Sequence, residues 1–301
     1  MMDGIINIYK EPGFTSHDVV AKLRGILHQK KIGHTGTLDP LASGVLPVCC
    51  GKATKACGLL TDKDKSYHAV CRLGVETDTQ DMSGSIIRKC DISGITEEDI
   101  INCIKHFEGV IMQVPPMYSA LKVKGKKLYE LAREGITVER EPRQVTIHSI
   151  NVTDIDIKNS QFSMDVTCSK GTYIRTLCHD IGIMLKNAAA MEKLVRTRVS
   201  VFKIEDAHTL AEVQDIAVHN PEKLKEYFLP VDALFTGYKK AQIKNGSEKA
   251  LANGNKLSGS MLKGLTEEPA AGEDILVYNR DGGFKAIYKR DGEEYKVNKM
   301  F

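Results

Sequence analysis

The chain has no C-x-x-C pair, no basic flank or long apolar run before Lys10, no internal repeat and no low-complexity tract. Each absence closes a class of answer. Without a basic flank feeding an apolar run, neither a secretory signal nor a membrane anchor is expected, and the expected compartment is the cytoplasm. Without C-x-x-C spacing, the eight cysteines (Cys49, Cys50, Cys57, Cys71, Cys90, Cys103, Cys168 and Cys178) read as reduced thiols used as small core residues. Cys178 beside His179 has no second ligand pair nearby, so no metal is expected. A formal net charge of +3 is too small to announce a nucleic-acid partner by itself.

What is present is an ordinary globular composition. At 301 residues, 42% hydrophobic and 27% charged, the chain can bury a real core, and its length favours two domains over one. Local charge says more than the total. "ALKVKGKK", residues 120–127, carries Lys122, Lys124, Lys126 and Lys127 with no acid among them, and "HQKK", residues 28–31, adds a second basic cluster. Taken singly, such runs are most often solvated faces.

Periodicity gives the organisation. Thr15 with Asp18 forms a capping pair before Val19, Val20, Leu23, Ile26 and Leu27, which share one helical face. "SYHAVCRLG" alternates Tyr67, Ala69, Cys71 and Leu73 against more polar neighbours, the pattern of a half-buried strand. Thr96 with Asp99 opens a helix through Ile100, Ile104 and Phe107 that ends before Gly109. "QFSMDVTCSKG" alternates into a turn, and Ile174, Leu177, Ile181 and Leu185 then repeat with helical period. Strands and helices mix without a regular βα repeat, so the expected class is α+β. Past "FLPVDALF" the chain shifts to short segments broken by Asn-Gly and Asp-Gly, with strands expected at 275–278, 284–288 and 295–297. A small, mostly β domain is expected from residue 236 to 301, after a first domain of 1–235.

The stretch "GHTGTLDPLASG", residues 33–44, gathers three glycines, two threonines and a serine around one acid, Asp39. An Asp before Pro40 is commonly a turn cap, and His34 commonly a loop histidine bonded in place. Alone, Tyr173 and Arg175 of "CSKGTYIRTL" read as a core tyrosine and a surface charge, and Tyr67 as a sheet residue. Together, an Asp, an Arg to hold it ionised, a Tyr to stack on a base and lysine runs to hold phosphates make a coherent set for chemistry on a nucleotide.

The chain closely resembles the TruB-type tRNA pseudouridine synthases. The resemblance runs through "KEPGFTSHDVV", "GHTGTLDPLASGVLPVCCGKATK", "KSYHAVCRLG" followed by "TDTQDMSG", "PPMYSALKVKGKKLYELAREG", "CSKGTYIRTLCHDIG" and "LVRTRVS", in order over roughly the first two thirds of the chain. It implies the pseudouridine synthase fold, a bent mixed sheet flanked by helices, with a C-terminal module similar to the RNA-binding PUA domain. It implies conversion of the uridine at position 55 in the T loop of tRNA to pseudouridine, with no cofactor because an isomerisation needs none. By the same resemblance Asp39 is the nucleophile, Arg175 its ionic partner and Tyr67 the platform for a flipped uracil. Tyr173 and Leu194 complete the pocket, His34 fills the gap left by the extruded nucleotide, and Lys10 supports the Asp39 loop. Lys122, Lys124, Lys126, Lys127 and Arg196 are implied RNA contacts, the lysines on a thumb spanning about 117–143. The implied partner is the T arm of tRNA, bound by a monomer that needs no protein partner. The alternative is an RNA-binding or tRNA-folding protein of the same fold without activity.

Overall fold

The computed structural model describes residues 2–123 and 125–301. In chain order its first part runs β1 (Gly4–Lys10), α1 (Ser16–Ile26), β2 (Ile32–His34), β3 (Ser43–Cys50), α2 (Cys57–Thr61), β4 (Lys65–Leu73), β5 (Val75–Thr77), β6 (Ile86–Lys89), α3 (Glu97–Lys105) and β7 (Gly109–Gln113). An insertion holds β8 (Lys122–Val123), β9 (Lys126–Lys127) and α4 (Leu128–Arg133), after which come β10 (Arg143–Asp156), β11 (Gln161–Cys168), α5 (Ile174–Met184), β12 (Ala189–Val199), β13 (Phe202–Lys203), α6 (Leu210–His219) and β14 (Phe228–Leu229). The last part holds β15 (Lys239–Ile243), α7 (Glu248–Ala252), β16 (Leu257–Ser258), β17 (Leu262–Lys263), β18 (Asp274–Tyr278), β19 (Phe284–Asp291) and β20 (Glu294–Met300).

Local chemistry sets the helix starts. Thr15 and Asp18 close a full capping box on α1, and Thr96 with Asp99 does the same on α3. The α3 helix stops at Lys105, and a turn through His106 and Phe107 reaches Gly109. In β4 the expected alternation holds: Tyr67, Ala69, Cys71 and Leu73 are buried and the residues between them are half-exposed.

A ten-stranded mixed sheet runs β14-β1-β3-β12-β4-β11-β10-β7, with β2 added to β3 and β13 to β12. Its pairs are antiparallel except β3 with β12. Bulges in the β4–β12 and β10–β11 ladders bend it. The α3 and α5 helices cover one region through Ile100, Ile104, Leu177 and Ile181, while α1 and α6 pack on β1 and β3 through Val19, Leu23 and Val213. Burying each such aliphatic side chain contributes about 1.5–3 kcal/mol.

The parallel β3–β12 contact depends on Gly44. Its φ is +104°, and a β-carbon there would lie 2.2 Å from the Arg196 carbonyl oxygen, so only glycine lets the end of the Asp39 loop meet β12.

A second sheet, β16-β20-β19-β18-β15-β17, forms in residues 239–300, with hairpins where Asp-Gly turns were expected. Sequence patterning anticipated three of its six strands. Two of the others pair over only two residues, and β15, "KKAQI", carries three polar side chains. Leu276 and Ile287 of this sheet pack with Ile5, Val45 and Phe202, and the Tyr278 hydroxyl donates to Asp232 at 2.8 Å. All eight cysteines are free thiols, six of them buried. No helix among the described residues is long and apolar enough to cross a membrane.

Candidate active site

The loop between β2 and β3 is fixed from below. Leu38 N–H donates to the Ser16 hydroxyl at 3.0 Å, and Gly13 N–H donates to the Pro40 carbonyl at 2.9 Å. Lys10 has no solvent exposure, and its ammonium donates to the carbonyls of Phe14 (2.7 Å), Glu11 (3.1 Å) and Pro40 (3.1 Å). Burial lowers its pKa to about 8, partly offset by Asp39. All three ammonium protons have acceptors, so Lys10 braces the loop, in line with the support expected of it.

Held this way, the Asp39 carboxylate is not a turn cap. Arg175 grips it with both sides of the guanidinium fork, Nε to Oδ2 at 3.0 Å and Nη2 to Oδ1 at 3.2 Å. Arg175 stands in the first turn of α5, its side chain 6% exposed, where the helix dipole disfavours a cation. Two carboxylates and two carbonyls offset that cost. Besides Asp39, Arg175 meets Asp81 at 3.6 Å and donates to the carbonyls of Thr79 (3.2 Å) and Tyr118 (2.8 Å).

The Asp39 side chain remains 37% exposed on one side and is enclosed by protein on the others. Burial is the largest influence on its pKa and raises it above the ordinary carboxylate value. Arg175 opposes the rise, Asp81 adds to it, and Lys10 opposes more weakly. Arg175 thus meets Asp39 as expected, and the pair works against desolvation and a second acid.

Tyr67 and Leu194 lie on β4 and β12 and share one cluster with Leu38 and Ala42, the apolar neighbours of Asp39. Burial pushes the Tyr67 hydroxyl up to about 12, with the Arg196 cation as the main opposing influence. Arg196, opposite Tyr67 in the β4–β12 ladder, is 1% exposed, with Nε on the Val45 carbonyl at 2.8 Å and Nη2 on the Gly36 carbonyl at 3.3 Å. Its expected role as an RNA contact is corrected: it is a strut between β12, β3 and the Asp39 loop.

His34 stands edge-on to His17, ring centroids 5.1 Å apart at 81°, and burial together with His17 keeps its imidazole pKa below the ordinary value. Its Nδ1 is buried without a hydrogen-bond partner among the described residues. Tyr173 immediately precedes α5 and is half-buried. Of the lysine run, Lys122 and Lys126 are exposed, Lys126 lies 3.5 Å from Glu134, and Lys127 donates to the Tyr129 hydroxyl at 3.3 Å. Lys124 lies outside the described residues.

Sequence reasoning saw a lone carboxylate and missed Asp81, although "TDTQDMSG" was among the matching segments. Asp81 is a loop residue whose approach to Arg175 depends on the β5–β6 connection folding back. Its own bonds to Thr79 Oγ1 (2.8 Å) and Ser83 N–H (3.0 Å) are the local signal of that fold.

Comparison with known proteins places this geometry. The TruB family pseudouridylate synthase N-terminal domain matches residues 24–174, and the tRNA pseudouridylate synthase B C-terminal domain matches 175–236. The chain is 44% identical over 299 residues to tRNA pseudouridine synthase B of Clostridium perfringens strain 13, covering 99% of each. It is 48% identical over 312 residues to the protein of that name from Lachnoclostridium phytofermentans, covering 100% of both. Among solved structures, a Cbf5-Nop10-Gar1 complex matches with a TM-score of 0.75 at 30% identity, over 99% of this chain and 85% of that one. With family domains and full-length relatives agreeing, the chain belongs to the TruB family of pseudouridylate synthases.

Proposed function

We propose that this protein isomerises the uridine at position 55 in the T loop of tRNA to pseudouridine, with Asp39 as nucleophile on a base flipped out of the RNA. The observation that carries the reading is the Arg175 fork on a partly open Asp39, beside Tyr67 and Leu194. The names of the full-length relatives supply the substrate class.

The chemistry needs a positioned anion and dry surroundings. The Asp39 carboxylate attacks the target nucleoside at C6 of the base or C1′ of the ribose as the N-glycosidic bond breaks. The uracil turns and bonds to C1′ through C5, and as Asp39 departs the C5 proton is removed while N1, freed from the ribose, gains one, so substrate and product have equal mass. Arg175 holds the carboxylate on one line and opposes its protonation when the base excludes water. With its hydroxyl pKa near 12, Tyr67 stays neutral at physiological pH. It stacks on the base and relays the C5 proton as a neutral hydroxyl, not as a standing phenolate. His34, neutral and with a free ring nitrogen, fills the space the flipped nucleotide leaves.

In this reading residues 236–301 form a PUA-like RNA-binding module beside a catalytic domain of 1–235, and about 117–143 is a thumb over the RNA. The protein acts in the cytoplasm as a monomer. The deciding experiment incubates it with an unmodified tRNA transcript and maps pseudouridine. Product at position 55 without mass change is expected, and an unaltered transcript would remove the reading.

A further inference from the structure

We propose that Gln113 is a positioning residue, which ties the root of the 117–143 insertion to the start of α5 and so sets how Arg175 grips Asp39. Gln113 is the last residue of β7 and pairs with Arg143, the first residue of β10, so the chain leaves the sheet at one and returns at the other. Gln113 is 2% exposed. Its carboxamide faces a single residue: Oε1 accepts the Tyr173 N–H at 2.8 Å, and Nε2 donates to the Tyr173 carbonyl at 3.0 Å. One side chain thus satisfies both backbone groups of Tyr173, as a neighbouring strand would.

Tyr173 is the residue that needs this. It stands at the N-cap position of α5 in an extended conformation (φ −100°, ψ 110°), with no side-chain capping bond of its own. Arg175 follows in the first helical turn, and an uncapped helix end frays unless something else holds it. On the far side, the Thr176 hydroxyl donates to Gln80 Oε1 at 2.8 Å, so the first turn of α5 is held from two directions. The insertion also reaches Arg175 directly, through the Tyr118 carbonyl. The carboxamide offers both the donor and the acceptor that the Tyr173 carbonyl and N–H require, whereas a carboxylate lacks the donor and an apolar side chain lacks both.

The inference rests on Asp39 and Arg175 being the reacting pair, and its test separates the two ideas. Asp39 faces Arg175 from α5, Asp81 from the β5–β6 loop and Lys10 from β1, with burial the dominant influence. In Gln113→Leu the Arg175 fork loosens while burial and Asp81 still act, so Asp39 titrates at a higher pH than in the parent. Carbon-13 NMR of labelled aspartate carboxyls, with the Asp39 signal assigned by its loss in Asp39→Asn, reads this on the full chain without substrate. Single-turnover pseudouridine formation should fall about 10- to 100-fold, the cost of a misplaced reacting group, while tRNA affinity changes by less than about twofold. Gln113→Glu, which keeps the acceptor for Tyr173, should fall between parent and Leu variant and carries the test if the Leu variant does not fold. An Asp39 titration unmoved in the variants overturns the proposal, as does a rate loss matched by an equal loss of tRNA binding. A shifted titration in a protein that makes no pseudouridine supports the positioning role and removes the proposed function.

Discussion

Arg175 and the lysines of residues 122–127 carry the same charge and are built in opposite ways. The Arg175 side chain is 6% exposed, and Nε, Nη1 and Nη2 each have named acceptors. Lys122 and Lys126 stand in solvent, and the Lys126–Glu134 pair is 61% and 50% exposed. A fixed cation in a dry setting acts on one atom at full strength, whereas an exposed, mobile cation acts on the field around it and is screened by salt. The first arrangement suits chemistry and the second suits capture of a polyanion.

If that division is right, the largest effect comes from the carboxylate that Arg175 holds. Asp39→Asn keeps the size of the side chain and an oxygen for the Arg175 fork but removes the proposed nucleophile. Isomerisation should drop to background, with unfolding midpoint and tRNA affinity near those of the parent. Pseudouridine at close to the parent rate would assign the chemistry elsewhere.

Next in size is Tyr67→Phe, which retains the ring and deletes the hydroxyl. Loss of proton transfer typically costs about 100-fold or more, while the stacking surface and tRNA affinity remain. Because the hydroxyl pKa is near 12, the alkaline side of the parent rate profile should show no loss attributable to Tyr67 until close to that pH. A Phe variant that turns over like the parent reduces Tyr67 to a platform.

Arg175→Lys probes the fork itself, since it keeps the charge and loses bidentate geometry. A fall of about 10- to 100-fold is expected for a loosened reacting group. The pH dependence gives the sign. As the proposed nucleophile Asp39 must be ionised, so the parent rate should be lost as pH falls through its raised pKa. A weaker partner raises that pKa further, and the acid limb of the variant should lie at higher pH. An unmoved limb would mean that Arg175 does not control the ionisation of Asp39.

These residues also show what a sequence can and cannot convey. The Thr-x-x-Asp boxes before α1 and α3 and the alternation in β4 were legible because capping and pleating act over a few neighbouring residues. That Asp39 and Arg175 would meet was legible through the family resemblance. The inward turn of Arg196 was not, since a strand arginine reads as a surface charge until the β4–β12 bulge between Arg196 and Arg198 and the close approach at Gly44 are known. Asp81 was missed for the same reason: its bonds to Thr79 and Ser83 mark a local turn, but its proximity to Arg175 is a property of the fold. That Lys10 supports the Asp39 loop was legible through the resemblance, but the three carbonyls that converge on it are visible only in the fold.

The smallest effect should come from the lysines, and their surroundings rank them. Lys122 is exposed, Lys126 faces Glu134, and Lys127 is half-buried with its ammonium on the Tyr129 hydroxyl and over that ring at 5.3 Å. A lysine already engaged gives up protein contacts to reach a phosphate, so Lys122 should contribute most to RNA binding and Lys127 least. Each phosphate contact releases a condensed counterion and adds about 0.7 to 0.9 to the slope of log affinity against log salt. Changing Lys122, Lys126 and Lys127 together to Ala should therefore weaken tRNA binding and flatten that slope by about one to two, leaving the single-turnover rate at saturating protein almost unchanged. The single variants should fall in the order Lys122, Lys126, Lys127. A slope identical to the parent's would make the run a solvated face, and a lower saturated rate with unchanged affinity would show that the insertion acts on Arg175 through Tyr118 more than it acts on RNA.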